Sequence, residues 1–219
     1  FSRPRATGVI AITVEDGDQL LDVSLAENNE SYIMMAVKSG RAVCFHDDKV
    51  RPTGRGAIGV FGIELDDEKD EVIGMVCVPK KDNTKQILVV SENGLGKRTP
   101  FLEKSEETGE MEPVYRITNR GGKGVKTINI TEKTGALVGL LAVEEQEDLM
   151  ITCESGVTIR MKVSSIREAG RATQGVKLIN IDEGDRIAAI ASIQEQEDNG
   201  DEEAEHDALE SATENPTEE

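Results

Sequence analysis

Arg51-Pro52-Thr53-Gly54-Arg55-Gly56-Ala57-Ile58-Gly59 is followed by Val60-Phe61-Gly62-Ile63-Glu64-Leu65. It runs Arg, three residues, Arg, three residues, Gly, then an alternating apolar run. The phrase returns at Arg116, Arg120 and Gly124, then at Arg167, Arg171 and Gly175, and in shortened form at Arg3, Arg5 and Gly8. At the first, fourth and sixth positions after each Gly stand Val9, Ile12, Val14; Val60, Ile63, Leu65; Val125, Ile128, Ile130; and Val176, Ile179, Ile181. A fixed period means one supersecondary unit repeated as a stack or a ring. These apolar residues are expected to form the core.

Each copy divides into two halves. The first is the Gly-led strand and a second apolar strand about thirteen residues on, at Leu20–Leu25, Glu71–Val78, Ala136–Val143 and Arg186–Ile193. The second half is a hairpin: Tyr32–Val37 with Ala42–His46, Gln86–Val90 with Gly96–Thr99, and Leu149–Cys153 with Val157–Val163. Alternation and β-branched residues argue for strands, and Gly40, Gly94 and Gly156 suit tight hairpin turns. The marker glycines are 51, 65 and 51 residues apart, which places an insertion at about 100–112, read as an acidic surface loop. Four Gly-led halves stand against three hairpins, and the chain opens on Phe1 rather than Met, so it reads as a piece of a longer protein. About four strands per copy is the grammar of a propeller.

The chain has 219 residues and a formal net charge of -18. Residues 194–219 hold twelve Asp or Glu and no Lys or Arg; removing them leaves 31 acids against 25 bases, a net of -6. That tail lacks the apolar surface to offset its ordering entropy and is expected to be disordered. Residues 1–193 are expected to form the β domain. Trp is absent, and Cys44, Cys77 and Cys153 lie far apart in apolar runs, which reads as buried reduced thiols in a cytoplasmic protein. No signal peptide and no membrane-spanning apolar run is legible.

The recurring cations are the functional candidates. One group lies in the Gly-led loops: Arg3, Arg5, Arg51, Arg55, Arg116, Arg120, Lys123, Lys126, Arg167, Arg171 and Lys177. Another lies in the hairpins: Lys97, Arg98, Arg160 and Lys162, with Arg41 nearby. Cys44 stands where two other copies carry Arg98 and Arg160. The competing structural reading is that the arginines bridge blades or cap carbonyls, which suits the first Arg of each phrase; the second is expected in an exposed loop. Cations at regular intervals on a ring match a polyanion that wraps it, each phosphate contact releasing counterions, with backbone contacts sufficient to position and bend a duplex. Gly54-Arg55-Gly56-Ala57-Ile58-Gly59 matches the dinucleotide fingerprint in letters alone, because a strand follows where a helix is required. No zinc spacing and no nucleophile-base constellation is present.

The phrases Arg5-Ala6-Thr7-Gly8-Val9, Arg55-Gly56-Ala57-Ile58-Gly59, Glu92-Asn93-Gly94-Leu95-Gly96-Lys97-Arg98-Thr99, Arg120-Gly121-Gly122-Lys123-Gly124 and Gly170-Arg171-Ala172-Thr173-Gln174-Gly175 resemble the C-terminal domain of the bacterial DNA gyrase A subunit. The resemblance covers residues 1–193. It implies an all-β, propeller-like β-pinwheel, here about four repeated four-stranded blades followed by the acidic tail. In the family a six-bladed disc wraps double-stranded DNA around a basic rim and supports ATP-dependent negative supercoiling. The family's box, Gln-Arg-Arg-Gly-Gly-x-Gly, is approached by Asn119–Gly124, so the first two blades are expected to be missing.

The resemblance further implies, as partners, the remainder of the A subunit together with the gyrase B subunit, in an A2B2 complex. ATP and Mg are expected there and no cofactor here, with no catalytic residue in this stretch. Phosphate contacts are expected at Arg3, Arg5, Arg51, Arg55, Lys97, Arg98, Arg120, Lys123, Lys126, Arg160, Lys162, Arg171 and Lys177, with Arg120 and Lys123 leading because Gly121 and Gly122 admit close approach. The alternatives are the related domain of topoisomerase IV and, in a different class, a propeller-like protein-interaction scaffold in which the arginines only stabilise blade contacts.

Overall fold

A computed structural model describes residues 6–26 and 30–194. Arg3, Arg5 and the acidic tail beyond Gln194 lie outside the described residues. The described chain is all-β apart from two single-turn 3-10 helices at Asp47–Lys49 and Val163–Ser165. The hairpins form as the sequence implies: β1 (Ser31–Val37) with β2 (Arg41–His46), β4 (Gln86–Ser91) with β5 (Leu95–Pro100), and β10 (Asp148–Cys153) with β11 (Thr158–Lys162). Three of the second apolar strands also form, as β3 (Val72–Pro79), β9 (Leu137–Val143) and β13 (Ile187–Ile193).

The way these strands assemble is not local. In each sheet the hairpin's first strand pairs antiparallel with the second apolar strand of the following copy: β1 with β3, β4 with β9 and β10 with β13. The hairpin's outer strand then pairs with the Gly-led strand two copies on. β8 (Val125–Lys126) joins β2, and β12 (Val176–Lys177) joins β5. The orders are therefore β3-β1-β2-β8 and β12-β5-β4-β9, with a three-stranded β11-β10-β13. Each four-stranded sheet draws on three successive copies, so a Gly-led strand and the apolar strand after it lie in different sheets.

Adjacent sheets bury their faces against one another. One core joins Met34, Val78, Ile87, Val89, Phe101 and Ile128, and a second joins Leu88, Val90, Leu149, Ile151, Val163 and Ile187. The fourth residue after the marker Gly is buried at Ile63, Ile128 and Ile179. In the first two copies the expected Gly-led strand fails: residues 6–26 form no strand, with Ile12, Val14, Leu20, Val23 and Leu25 exposed, and residues 60–65 form only a single bridge at Ile63, with Leu65 exposed. The sequence holds no earlier hairpin against which Leu20–Leu25 could pair. The 100–112 insertion also differs from the expected loop. It is a hairpin of β6 (Leu102–Lys104) and β7 (Met111–Pro113), anchored by buried Phe101 and Leu102.

The crossings depend on two glycines. Gly124 has φ +69°, and a Cβ there would lie 2.2 Å from the Ala42 carbonyl oxygen; Gly175 has φ +79°, with Gly96 O at 2.4 Å. A side chain would thus meet backbone as well as left-handed strain. Gly184 has a similar φ of +86° but open space around it. Gly175→Ala is expected to cost about 2–4 kcal/mol in urea unfolding, and Gly184→Ala about 1 kcal/mol. Equal losses would show that the crossing tolerates a Cβ.

Candidate nucleic-acid interface

Two of the Arg phrases, those at 116–124 and 167–175, are laid along the outer strand of a hairpin; among the described residues the phrase at 51–59 has no such pairing. Around Ile117 the first of the two runs parallel to β2, with Thr118 N donating to Cys44 O at 2.9 Å; after Gly124 it pairs antiparallel at Val125 and Lys126. The next phrase repeats this on β5. Arg98 N donates to Arg167 O at 3.3 Å, and Ala169 N to Arg98 O at 2.9 Å. Pairing with the rigid hairpins therefore fixes the cation-bearing loops in space.

Several cations are spent on holding these loops. Arg41 donates from Nε to Lys123 O at 2.9 Å and from a terminal nitrogen to Gly124 O at 3.0 Å. Arg120 donates to Lys49 O and Phe61 O, both at 3.0 Å. Arg171 reaches Lys126 O at 3.4 Å. The second Arg of each phrase was expected in an exposed loop; Arg120 and Arg171 instead brace the carbonyl of the second residue after the preceding marker Gly and are half-buried. Such bracing leaves other N–H donors of the guanidinium unused by these bonds.

Lys97 and Arg98, expected among the phosphate contacts, are enclosed. Lys97 is 0% exposed, with Nζ donating to Gly170 O at 2.5 Å. Arg98 donates to Ile166 O at 2.7 Å and to the side chain of Gln86 at 2.8 Å, and pairs with Glu145 at 2.9 Å. Thr99 Oγ1 donates to Ala169 O at 2.7 Å. Three consecutive side chains thus strap the 166–170 loop to β5. Cys44, in register with Arg98, is also buried, and burial pushes its thiol up to about 12. The loss of a base there removes no rim cation. At the third equivalent, Asp148 accepts from Arg160 Nε at 2.5 Å and pairs with Lys162 Nζ at 2.9 Å. Hydrogen bonding from Lys162, then Arg160, holds the Asp148 carboxyl below its usual range.

The outward cations are Arg51, Arg55, Arg116, Lys123, Lys126, Arg167 and Lys177, all exposed. Lys123 faces Glu64 at 3.8 Å, and Lys126 donates to Asn129 at 3.4 Å. Among the described residues, no group of three His, Cys, Asp or Glu could hold a metal ion. Tyr115 is buried, its hydroxyl 2.7 Å from Thr127 Oγ1, and burial pushes it up to about 12. That makes it a core group.

Burial, then the neighbouring Arg171, lowers the Lys97 ammonium from 10.5 to about 8. Below pH 8 both folded and unfolded states hold the proton. Between about 8 and 10.5 the unfolded state binds more protons, so this residue makes stability rise with pH. In urea titrations at pH 7.5 and 10, wild type should gain on the order of 1–3 kcal/mol relative to Lys97→Met over that interval. An equal pH response in the two proteins would overturn the enclosed ammonium.

A family model described as the DNA gyrase C-terminal domain, a beta-propeller, matches residues 1–27, 31–79, 85–103, 114–144 and 147–194. The DNA gyrase A subunit of Deinococcus deserti is 41% identical over 194 residues, 88% of this chain and 22% of that protein. Its counterpart in Staphylococcus epidermidis is 40% identical over 199 residues, 91% of this chain and 21% of that protein. The chain therefore spans about a fifth of the length of these relatives. Among solved structures, a DNA gyrase A C-terminal domain superposes with a TM-score of 0.69 at 26% identity, covering 86% of this chain and 59% of that one. The C-terminal domain of a DNA topoisomerase IV superposes at 0.74 with 18% identity, covering 89% and 56%, a likeness of fold alone. With repeats, sheets and family match in agreement over the described residues, the chain belongs to the DNA gyrase C-terminal domain family.

Proposed function

We propose that the outward cations form a rim that binds duplex DNA without reading its sequence and wraps it. The observation that carries this reading is the placement of Lys126 and Lys177 at the surface on strands fixed by the repeated crossing, with Arg51, Arg55 and Lys123 exposed on the Gly-led loops. Phosphate contacts suffice for such binding, and bending follows where successive contacts lie along a curved surface. Arg120 and Arg171 contribute chiefly by holding the loops, while Arg160 and Lys162 are tied to Asp148. Lys97 and Arg98 support the rim from inside.

In this reading the chain supplies the wrapping part of a gyrase A subunit. It acts with the rest of that polypeptide and with a B subunit, in an A2B2 complex that supercoils DNA with ATP and Mg bound elsewhere. The division into a β domain at 1–193 and a tail at 194–219, and a place in the bacterial cytoplasm on the nucleoid, belong to the same proposal. The curated gyrase A relatives favour this over topoisomerase IV, whose likeness is one of fold.

The test is duplex binding by the 219-residue chain across a salt series, beside an Arg55→Ala/Lys126→Ala/Lys177→Ala variant. Log affinity should fall linearly with log salt, and the slope should shrink by about 2.7 in the variant, roughly 0.9 for each lost contact. Binding indifferent to salt and to these substitutions would replace the reading with an interaction scaffold.

A further inference from the structure

The second position after the marker glycine is occupied by Ile10, Phe61, Lys126 and Lys177 in successive copies. Ile10 is 78% exposed and Phe61 85%, and both lysines are exposed. The lysines remain so although their strands are paired, Lys126 opposite Arg41 and Lys177 opposite Leu95. The position therefore points out of a finished sheet, and pairing of the Phe61 segment would leave the ring outside. The bracing arginines add a second regularity. Arg120 donates to Phe61 O at 3.0 Å as Arg171 donates to Lys126 O at 3.4 Å. A guanidinium from the next copy is thus fixed beside the backbone of Phe61 and of Lys126. Phe61 stands in register with the rim lysines Lys126 and Lys177, carries the Arg120 guanidinium on its carbonyl, and takes no part in the core clusters.

We propose that Phe61 is an apolar DNA contact within the basic rim, a wedge against a base-pair step in the minor groove of the wrapped duplex. Arg120, braced at its carbonyl, faces the adjoining phosphate. This rests on the DNA-binding reading above. A phosphate gains nothing from a phenyl ring, so a ring in the cation's place is useful where the duplex offers apolar surface. That surface is a base step opened by bending, which DNA-bending proteins fill with Phe, Leu or Ile. The wedge adds no counterion release, so it deepens the bend and the affinity without steepening the salt dependence.

The experiment compares the wild-type 219-residue chain with Phe61→Ala and Phe61→Lys. The probe is a duplex carrying end-to-end fluorescence-transfer labels and 2-aminopurine steps. Urea unfolding confirms that both exposed-site variants are folded. Phe61→Ala should bind on the order of tenfold more weakly, with an unchanged salt slope, a smaller bend and less 2-aminopurine brightening. Phe61→Lys should gain about 0.9 in salt slope without recovering the bend. Wild-type binding and bending in Phe61→Ala would overturn the wedge. So would self-association of the wild type that Phe61→Ala abolishes with DNA binding intact, since the occupant would then be a second copy. No duplex binding by the wild type would sink the underlying DNA reading, an outcome distinct from failure of the wedge alone.

Discussion

A backbone crossing returns a Gly-led strand to a hairpin two copies earlier, and the sheets close only through it. Outer strands β2 and β5 would otherwise present unpaired N–H and C=O groups, which invite association with other strands. Val125–Lys126 and Val176–Lys177 cover those groups, and Thr127 N and Leu178 N continue the pairing onto Gly40 O and Gly94 O at 2.9 and 2.8 Å. The crossing requires main chain to approach main chain more closely than a Cβ permits, which is why Gly124 and Gly175 stand at its centre. The same step carries the Arg phrase to the outside of the sheet. Fold and surface charge are therefore set by one geometric event repeated along the chain.

Basic side chains then secure what the backbone begins. A loop laid over a strand leaves carbonyls without ladder partners, and buried carbonyls must be paired. Arg41, Arg98, Arg120 and Arg171 meet several of them, each reaching into the loop or strand of another copy. Arginine suits this work because its planar fork offers several donors while its charge persists. Lys97 does the same from a fully enclosed position, where burial lowers its affinity for the proton.

What was legible in the sequence was local. Turn glycines and alternating apolar residues located the hairpins to within a residue or two, because a hairpin is closed by neighbours in the chain. The assignment of strands to sheets was not legible, since pairing of Val125 with Ala42 spans copies and leaves no mark in either segment alone. Lys97 and Arg98 read as surface charges because buried bases are rare unless paired. Their partners are carbonyls of the 166–170 loop, and carbonyls carry no sequence signature. In the 100–112 insertion a signal was present: the adjacent Phe101 and Leu102 anchor what the acidic residues around them disguise.

Charge balance follows the same division. Lys123 and Glu64 form a pair exposed on both sides, 56% for each side chain. Such a pair contributes about 0–1 kcal/mol and is screened by salt, so replacing the carboxylate by a phosphate oxygen costs little and frees counterions from the duplex. Asp148 is different: its side chain is 5% exposed and holds both Arg160 and Lys162. Drawing those two cations toward an outside anion would strand a nearly enclosed carboxylate, a far larger penalty than parting an exposed pair. A chain that is acidic overall can therefore carry a rim ready for a polyanion. What matters is how shallowly each cation's existing partner is set, and by that measure the Gly-led loops and the last hairpin are unequal.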